Sequence, residues 1–279
     1  MFFKIIIFII NIQFLVFNYK WEIKKKLKQQ LMKYKNNIYN LKYIKSLKKV
    51  VYTVLLGKYD NVRSIIKENG YDYFLFTDQI FENHAYLNWT ILNINDYIRY
   101  LNLKTIKAQR FFKTHPHLFF QNYDLSIYID STIEIKGKLD EFLLRILSPN
   151  LNIYVLEHPD RNTINNEFSA VLQYNKDTNK SVNSVKNKYN KEKFPDNNGL
   201  GECCLIIRKH NEISCKNFMD NWFEEIRLNS HRDQLSFNYI LWKMGKFVVK
   251  YISKKYIENY FIQNPNHLID IIFKDNITS

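Results

Sequence analysis

The chain has 279 residues, 46% of them hydrophobic and 24% charged, with only 6 Gly and 5 Pro. This is ordinary globular usage, and it excludes a collagen-like, low-complexity or wholly disordered protein. The formal charge of +14 is uneven: residues 1–50 hold twelve lysines and one acid, while the remaining 229 hold 29 basic against 26 acidic side chains. A basic arm outside the folded part argues against a nucleic-acid partner, because a nucleic-acid protein carries its basic stripe on the domain itself.

Residues 2–17 are apolar apart from Lys4, Asn11 and Gln13. As a helix they span roughly 24 Å, somewhat short of the ~30 Å hydrocarbon core, and no small-residue cleavage site follows. The segment 1–19 therefore reads as an uncleaved single-pass membrane anchor or signal-anchor, with a buried N-terminal strand or helix as the alternative. Lys20, Lys24, Lys25, Lys26 and Lys28 come directly after it, and the positive-inside rule then puts the C-terminal bulk in the cytoplasm. Residues 20–49 carry eleven lysines, with Leu27, Leu31, Tyr34, Ile38 and Leu41 spaced by four and three. The spacing predicts a basic amphipathic helix suited to anionic headgroups; a solvated stalk fits the same pattern.

From residue 50 onward, short β-branched runs at 50–56, 73–77, 89–94, 125–130, 153–157, 203–207 and 247–252 alternate with helical patterns near 96–113, 138–147, 161–174, 216–228 and 231–245. Alternation of this kind predicts a single α/β domain over 50–279 with a mostly parallel mixed sheet flanked by helices. The polar stretch 175–199 lacks evident periodicity and is expected to be a mobile loop. Cys203, Cys204 and Cys215 form no C-x-x-C pair, so neither a zinc site nor a disulfide framework is supported. A G-x-G-x-x-G loop, a P-loop, a G-x-S-x-G elbow and an H-E-x-x-H pair are absent, which argues against the enzyme classes those motifs serve.

Ligands in open α/β sheets bind beyond the carboxyl ends of the strands. The run at 125–130 ends in Asp130, and period two places Asp130, Thr132 and Glu134 on one face, where a carboxylate can ligate a divalent cation bridging two phosphates. Asp78 ends another strand and is placed to bond a ribose or base. Glu157-His158-Pro159-Asp160-Arg161 sets an imidazole and a guanidinium after a third; His158 suits diphosphate binding or proton transfer, and Arg161 suits phosphate. Arg232 and Asp233 open a helical run. Turn initiation explains Asp78 and Asp130 equally well, and helix capping explains Asp233.

Several strings occur in order between 50 and 245: YTVLLGKYD at 52–60, FTD at 76–78, KTHPHLF at 113–119, YDLSIYID at 123–130, EHPDR at 157–161 with Glu167, GECCLIIRKH at 201–210, and Trp222 followed by RDQLSF at 232–237. In these the sequence resembles the plant mucilage-type (MUCI/TOD-like) glycosyltransferase-like family. The resemblance implies a GT-A-like domain that transfers a sugar from a nucleotide-sugar donor to a glycan, protein or lipid acceptor. It implies that Asp130 is the first carboxylate of a D-x-D element and, with Glu134, holds Mn²⁺ or Mg²⁺; that Asp78, Thr132, Arg161 and Arg232 bind the donor; and that His158 and Asp233 act in catalysis, Asp233 as acceptor-activating base or sugar contact. The element reads Asp130-Ser131-Thr132, so its second carboxylate is a hydroxyl here, and Glu134 or His267 is left to complete a metal site. Plant relatives look like Golgi-lumen enzymes, at odds with the lysine distribution. Two other readings stand beside this one: a metal-assisted hydrolase of a membrane lipid amide or ester using Asp130, His158 and Asp233, and an inactive membrane-bound sugar-binding scaffold.

Overall fold

The strand Lys49–Leu55 (β1) is buried at every position, as its run of Val, Tyr and Thr requires of a strand covered on both faces. It is flanked in parallel by Tyr71–Thr77 (β2) and Leu125–Ile129 (β4), and β2 pairs in parallel with Thr90–Asn93 (β3). The structure is a computed structural model that describes residues 22, 24–26, 28–32, 35–57, 60, 63–80, 88–245 and 249–264. Contacts divide the chain into Met1–Ser46 and Leu47–Ser279. In the first unit the described residues are helical, with Leu31 and Ile38 exposed. The anchor segment 1–19, Leu27, Tyr34 and His267 lie outside the described residues, among which no helix is long and apolar enough to cross a membrane.

In the second unit, seven described strands form one sheet in the order β3-β2-β1-β4-β7-β6-β8. Here β6 is Ile153–Glu157, β7 is Gly201–Arg208 and β8 is Val249–Ile252. Only β7 runs against its neighbours, so the carboxyl ends of β1, β4 and β6 meet the amino end of β7 at one edge. A separate antiparallel pair joins Ile133–Ile135 (β5) to Phe261–Gln263 (β9).

The helices are Asn95–Leu101 (α1), Thr105–Thr114 (α2), Pro116–Phe119 (α3), Leu139–Ile146 (α4), Ile164–Gln173 (α5), Asn179–Lys191 (α6), Ile213–Leu228 (α7), Asp233–Met244 (α8) and Lys254–Ile257 (α9). The pattern at 96–113 is two helices rather than one, because Asn102 takes the left-handed conformation at φ 49° and closes α1. Val50, Tyr52 and Val54 on one face of β1 share a core with Phe112 of α2, Trp222 of α7 and Phe237 of α8.

The expected loop at 175–199 is corrected: its centre is the thirteen-residue helix α6. The hydroxyl of Thr178 caps it by accepting from the Ser181 N–H at 3.2 Å, and Val182, Val185 and Tyr189, spaced by three and four, bury one stripe. Lysines and asparagines dilute that stripe until the periodicity is hard to see. Tyr189 stacks on Tyr239 of α8 at 3.9 Å between centroids, and Lys188 pairs with Glu225 of α7 at 2.6 Å.

Gly137 lies where β5 gives way to α4, and a Cβ there would stand 2.7 Å from the Asn259 carbonyl oxygen and 2.8 Å from the Tyr260 Cα. Backbone cannot yield as a flexible side-chain end does. Gly137→Ala should therefore cost about 1–3 kcal/mol, read as a lower urea midpoint, and an unchanged midpoint would show that the 259–260 segment shifts freely.

Candidate active site

At the shared edge, the strand ends and the amino end of α8 enclose a cavity of about 690 Å³ whose lining includes Lys113, Asp130, Arg161, Glu202, Arg232 and Asp233. A second cavity of about 590 Å³ lies beside it, against Leu55–Gly57, Thr105 and Gln109. Arg110, Asp130, Thr132, Lys176 and Arg232 line both.

The charged centre is a closed circuit. Lys113, 1% exposed, donates to Asp233 Oδ2 at 2.6 Å and lies 3.5 Å from Asp130 Oδ1, with its ammonium over the Tyr128 ring at 4.7 Å. Arg110 Nη2 stands 3.7 Å from the other Asp233 oxygen and Nη1 donates to Gln109 at 2.6 Å. Gln109 in turn donates to the Tyr128 hydroxyl at 3.1 Å, and that hydroxyl donates to Asp130. From behind, the Lys113 carbonyl accepts from the Tyr52 hydroxyl at 2.7 Å and from Arg208 Nη1 at 2.9 Å. Burial pushes the Tyr52 phenol up to about 12, so it remains a donor.

Asp233 is 3% exposed. Burial alone would raise its proton affinity, but Arg110, Lys113 and Arg232 outweigh that and hold it well below the usual carboxylate range. With both oxygens on cations and so little affinity for a proton, it fits a fixed counter-charge better than a base. The Trp222 indole fixes it further by donating to the Asp233 carbonyl at 3.1 Å.

Arg232 precedes α8 and lines both cavities. Its Nη2 reaches Gln234 at 3.3 Å, while its Nε is buried and finds no hydrogen-bond partner among the described residues. A buried, unsatisfied guanidinium N–H at a cavity wall is costly unless an acceptor arrives. Arg161, anchored by Glu167 at 2.7 Å, faces the same cavity.

The other expected site residues fall differently. His158 does not line the cavity that holds Asp130 and Asp233. Its Nδ1 accepts from the Asp160 and Arg161 N–H groups, both at 3.1 Å, and burial followed by Arg161 lowers its pKa, so the ring staples the 158–161 turn in its neutral form. Asp78 accepts from the Gly57 N–H through both oxygens, at 3.0 and 2.9 Å, fixing the φ +75° turn that ends β1. The period-two expectation at 130–134 fails because β4 stops at Ile129 and the chain turns through Ser131-Thr132 before β5. Asp130 and Thr132 consequently line the cavity, while Glu134 is engaged by Arg63 at 3.0 Å and Asn264 at 2.9 Å. Among the described residues no group of three or more His, Cys, Asp or Glu is arranged to hold a metal ion. The donor set thus fits a cation only in part, through one carboxylate and one hydroxyl, with substrate oxygens needed to complete the shell.

Sequence reasoning missed Arg110, Lys113, Lys176 and Glu202 as lining residues. The signal for the first two was present: they lie three apart among the aromatic residues of α2, so they share a face. Cys203 and Cys204 also line the cavity, but burial, with nearby carboxylates, pushes both thiols well up and leaves them without nucleophilic character.

Fold and site together define an α/β protein with a cleft at its strand ends lined by six basic and five acidic side chains. The chain belongs to the TOD1/MUCI70, glycosyltransferase-like domain family, whose model matches residues 23–266. No curated protein matches it. A solved structure described as an apo WbbM bifunctional glycosyltransferase is similar over 74% of this chain, at 12% identity and a TM-score of 0.47, and the chain spans 39% of that protein's length.

Proposed function

We propose that the protein is a nucleotide-sugar-dependent glycosyltransferase acting on a glycan, protein or lipid acceptor. The observation that carries this reading is Arg232, whose buried Nε lacks an acceptor where Arg161, Lys113 and Arg110 also converge. A diphosphate supplies the oxygens such a group of donors requires, and a phosphate-bound leaving group is what its charge stabilises as the glycosidic bond breaks. The neighbouring cavity beside Gly57 takes the nucleoside, with Asp78 setting the shape of the turn. Asp233 holds Lys113 and Arg110 in place. Asp130 and Thr132 would hold a Mn²⁺ or Mg²⁺, which would supply Lewis-acid neutralisation of the leaving group.

Membrane attachment through residues 1–19 and the basic helix remains part of the proposal. Family likeness points to an endomembrane lumen and the lysine distribution to the cytoplasmic face; protease protection in sealed vesicles separates the two. The hydrolase reading needs His158 beside Asp130 and Asp233, and no observation favours it.

The test is release of nucleoside diphosphate from a panel of nucleotide sugars, with and without Mn²⁺. Asp130→Ala should lower the rate by about 10²–10³-fold. Unchanged release by that variant would remove Asp130 from the site, and no release from any donor by folded wild-type protein would remove the transferase reading.

A further inference from the structure

Sugar transfer to a hydroxyl requires a group that takes the hydroxyl proton, and Asp233 is unsuited to it. Five acids line the main cavity: Asp130, Asp160, Glu202, Asp233 and Glu258. Asp233 is bound on both oxygens to buried cations. Asp130 accepts from Tyr128 and faces Lys113. Asp160 and Glu258 are exposed at the rim, where water screens them. Glu202 differs from all four: it is half-buried, lines the cavity, and makes no ion pair among the described residues.

Its placement follows from an irregularity in the sheet. Leu156 and Glu157 of β6 pair with Glu202 and Gly201, yet the preceding Val155 pairs with Ile206, so Cys203, Cys204 and Leu205 are passed over on that side. On the other side β7 stays joined to β4, Ile129 opposite Leu205, with the Asp130 N–H donating to the Cys204 carbonyl at 2.8 Å. An irregularity of this kind re-aims side chains. The backbone is fixed there as well: Gly201 donates its N–H to Asn238 Oδ1 of α8 at 3.0 Å, and its missing Cβ would meet the Phe237 ring at 3.2 Å. Glu202 Oε1 then accepts from Gln263 Nε2 of β9 at 2.7 Å, which orients the carboxylate.

We propose that Glu202 is the catalytic base, an inference that rests on the transferase reading above. The acceptor oxygen forms its bond to the anomeric carbon as its proton passes to Glu202. The bond from that carbon to the phosphate oxygen breaks, and its electron pair leaves with the nucleoside diphosphate, met by Arg161, Arg232 and Lys113. A single displacement of this form inverts the anomeric centre. Burial raises the proton affinity of Glu202, and Asp130 and Asp160 raise it further, while Gln263 and Lys254 oppose them; the balance lies above the ordinary carboxylate value, as a base requires.

The experiment uses the full chain, a panel of UDP-hexoses, UDP-pentoses and GDP-hexoses, and water as acceptor. Glu202→Gln should lower nucleoside diphosphate release by about 10²–10⁴-fold while UDP or GDP affinity, measured calorimetrically, changes by less than about threefold. The acidic limb of the wild-type pH–rate profile should vanish in the variant. Added azide, an anion that needs no base, should restore release. A rate close to wild type, an unaltered acidic limb, a parallel loss of nucleotide affinity, or a sugar product of retained configuration would each overturn the assignment. Wild-type protein that binds neither nucleotide and releases nothing would instead overturn the transferase reading, and this inference with it.

Discussion

Replacing Asp233 by alanine should destabilise the second unit by about 3–5 kcal/mol, because it strands a buried ammonium and a buried guanidinium. Lys113 is 1% exposed and its closest carboxylate is Asp233 at 2.6 Å; Asp130, at 3.5 Å, is a poorer substitute. The cost comes from uncompensated charge and not from lost attraction, so Lys113→Met in the Asp233→Ala background should recover a large part of it. Urea unfolding of the two single variants and the double variant measures both terms. A loss below about 1 kcal/mol in Asp233→Ala, or no recovery in the double variant, would mean that the circuit does not carry stability. The same ion pair gives a pH signature. The folded pKa of Asp233 is depressed, so its contribution is complete above the unfolded carboxylate value near 4 and is lost as pH falls below that.

A second large effect should be seen at milder acidity. Burial pushes His115, His117 and His210 each down to about 4. Unfolded, each titrates near 6.5, so between about pH 6.5 and 4 the unfolded chain binds protons that the folded one refuses, and stability falls as pH drops through that window. Each histidine contributes on the order of 3 kcal/mol when the whole window is crossed. Asp220, which faces His115 at 3.5 Å and His117 at 3.3 Å, offsets part of this once they charge. Urea midpoints at pH 7.5, 6 and 5 should decline steeply, and His117→Gln should flatten the decline. A midpoint constant from pH 7 to 5 would contradict the burial argument for all three.

The strands and the strand-end acids were legible because a buried parallel strand is a largely apolar run, and β2, β4 and β6 each end at or run straight into a polar residue. Asp130, Thr132, Arg161, Arg232 and Asp233 do share a cavity wall. What the sequence hid depends on pairing across long separations. Glu134 turns to Arg63 because β5 pairs with β9, more than a hundred residues later. His158 reads as a reactive imidazole until its Nδ1 is seen to hold its own turn. Glu202 lies at the head of a strand, where sequence reasoning looks for packing, and only the irregular pairing of β7 brings it into the cleft. Helix α6 was obscured for a different reason: three apolar residues suffice to bury one stripe of a helix whose remaining faces are solvated.

The place of β7 in the sheet also governs the order in which the molecule can be built. β1 to β4 can pair with one another as soon as they exist, whereas β7 must insert between β4 and β6 after both have been synthesised. Closing that gap joins Ile127 to Ile207, a separation close to that between Lys49 and Leu125 across β1 and β4, so β7 is set apart by needing both neighbours in place and not by a longer loop. Until it closes, Asp130 lacks the Cys204 carbonyl beneath it and the two halves of the cleft are unconnected. The cleft is therefore complete only after β7 has inserted, and any ligand that binds the cleft stabilises the finished fold without assisting its early intermediates.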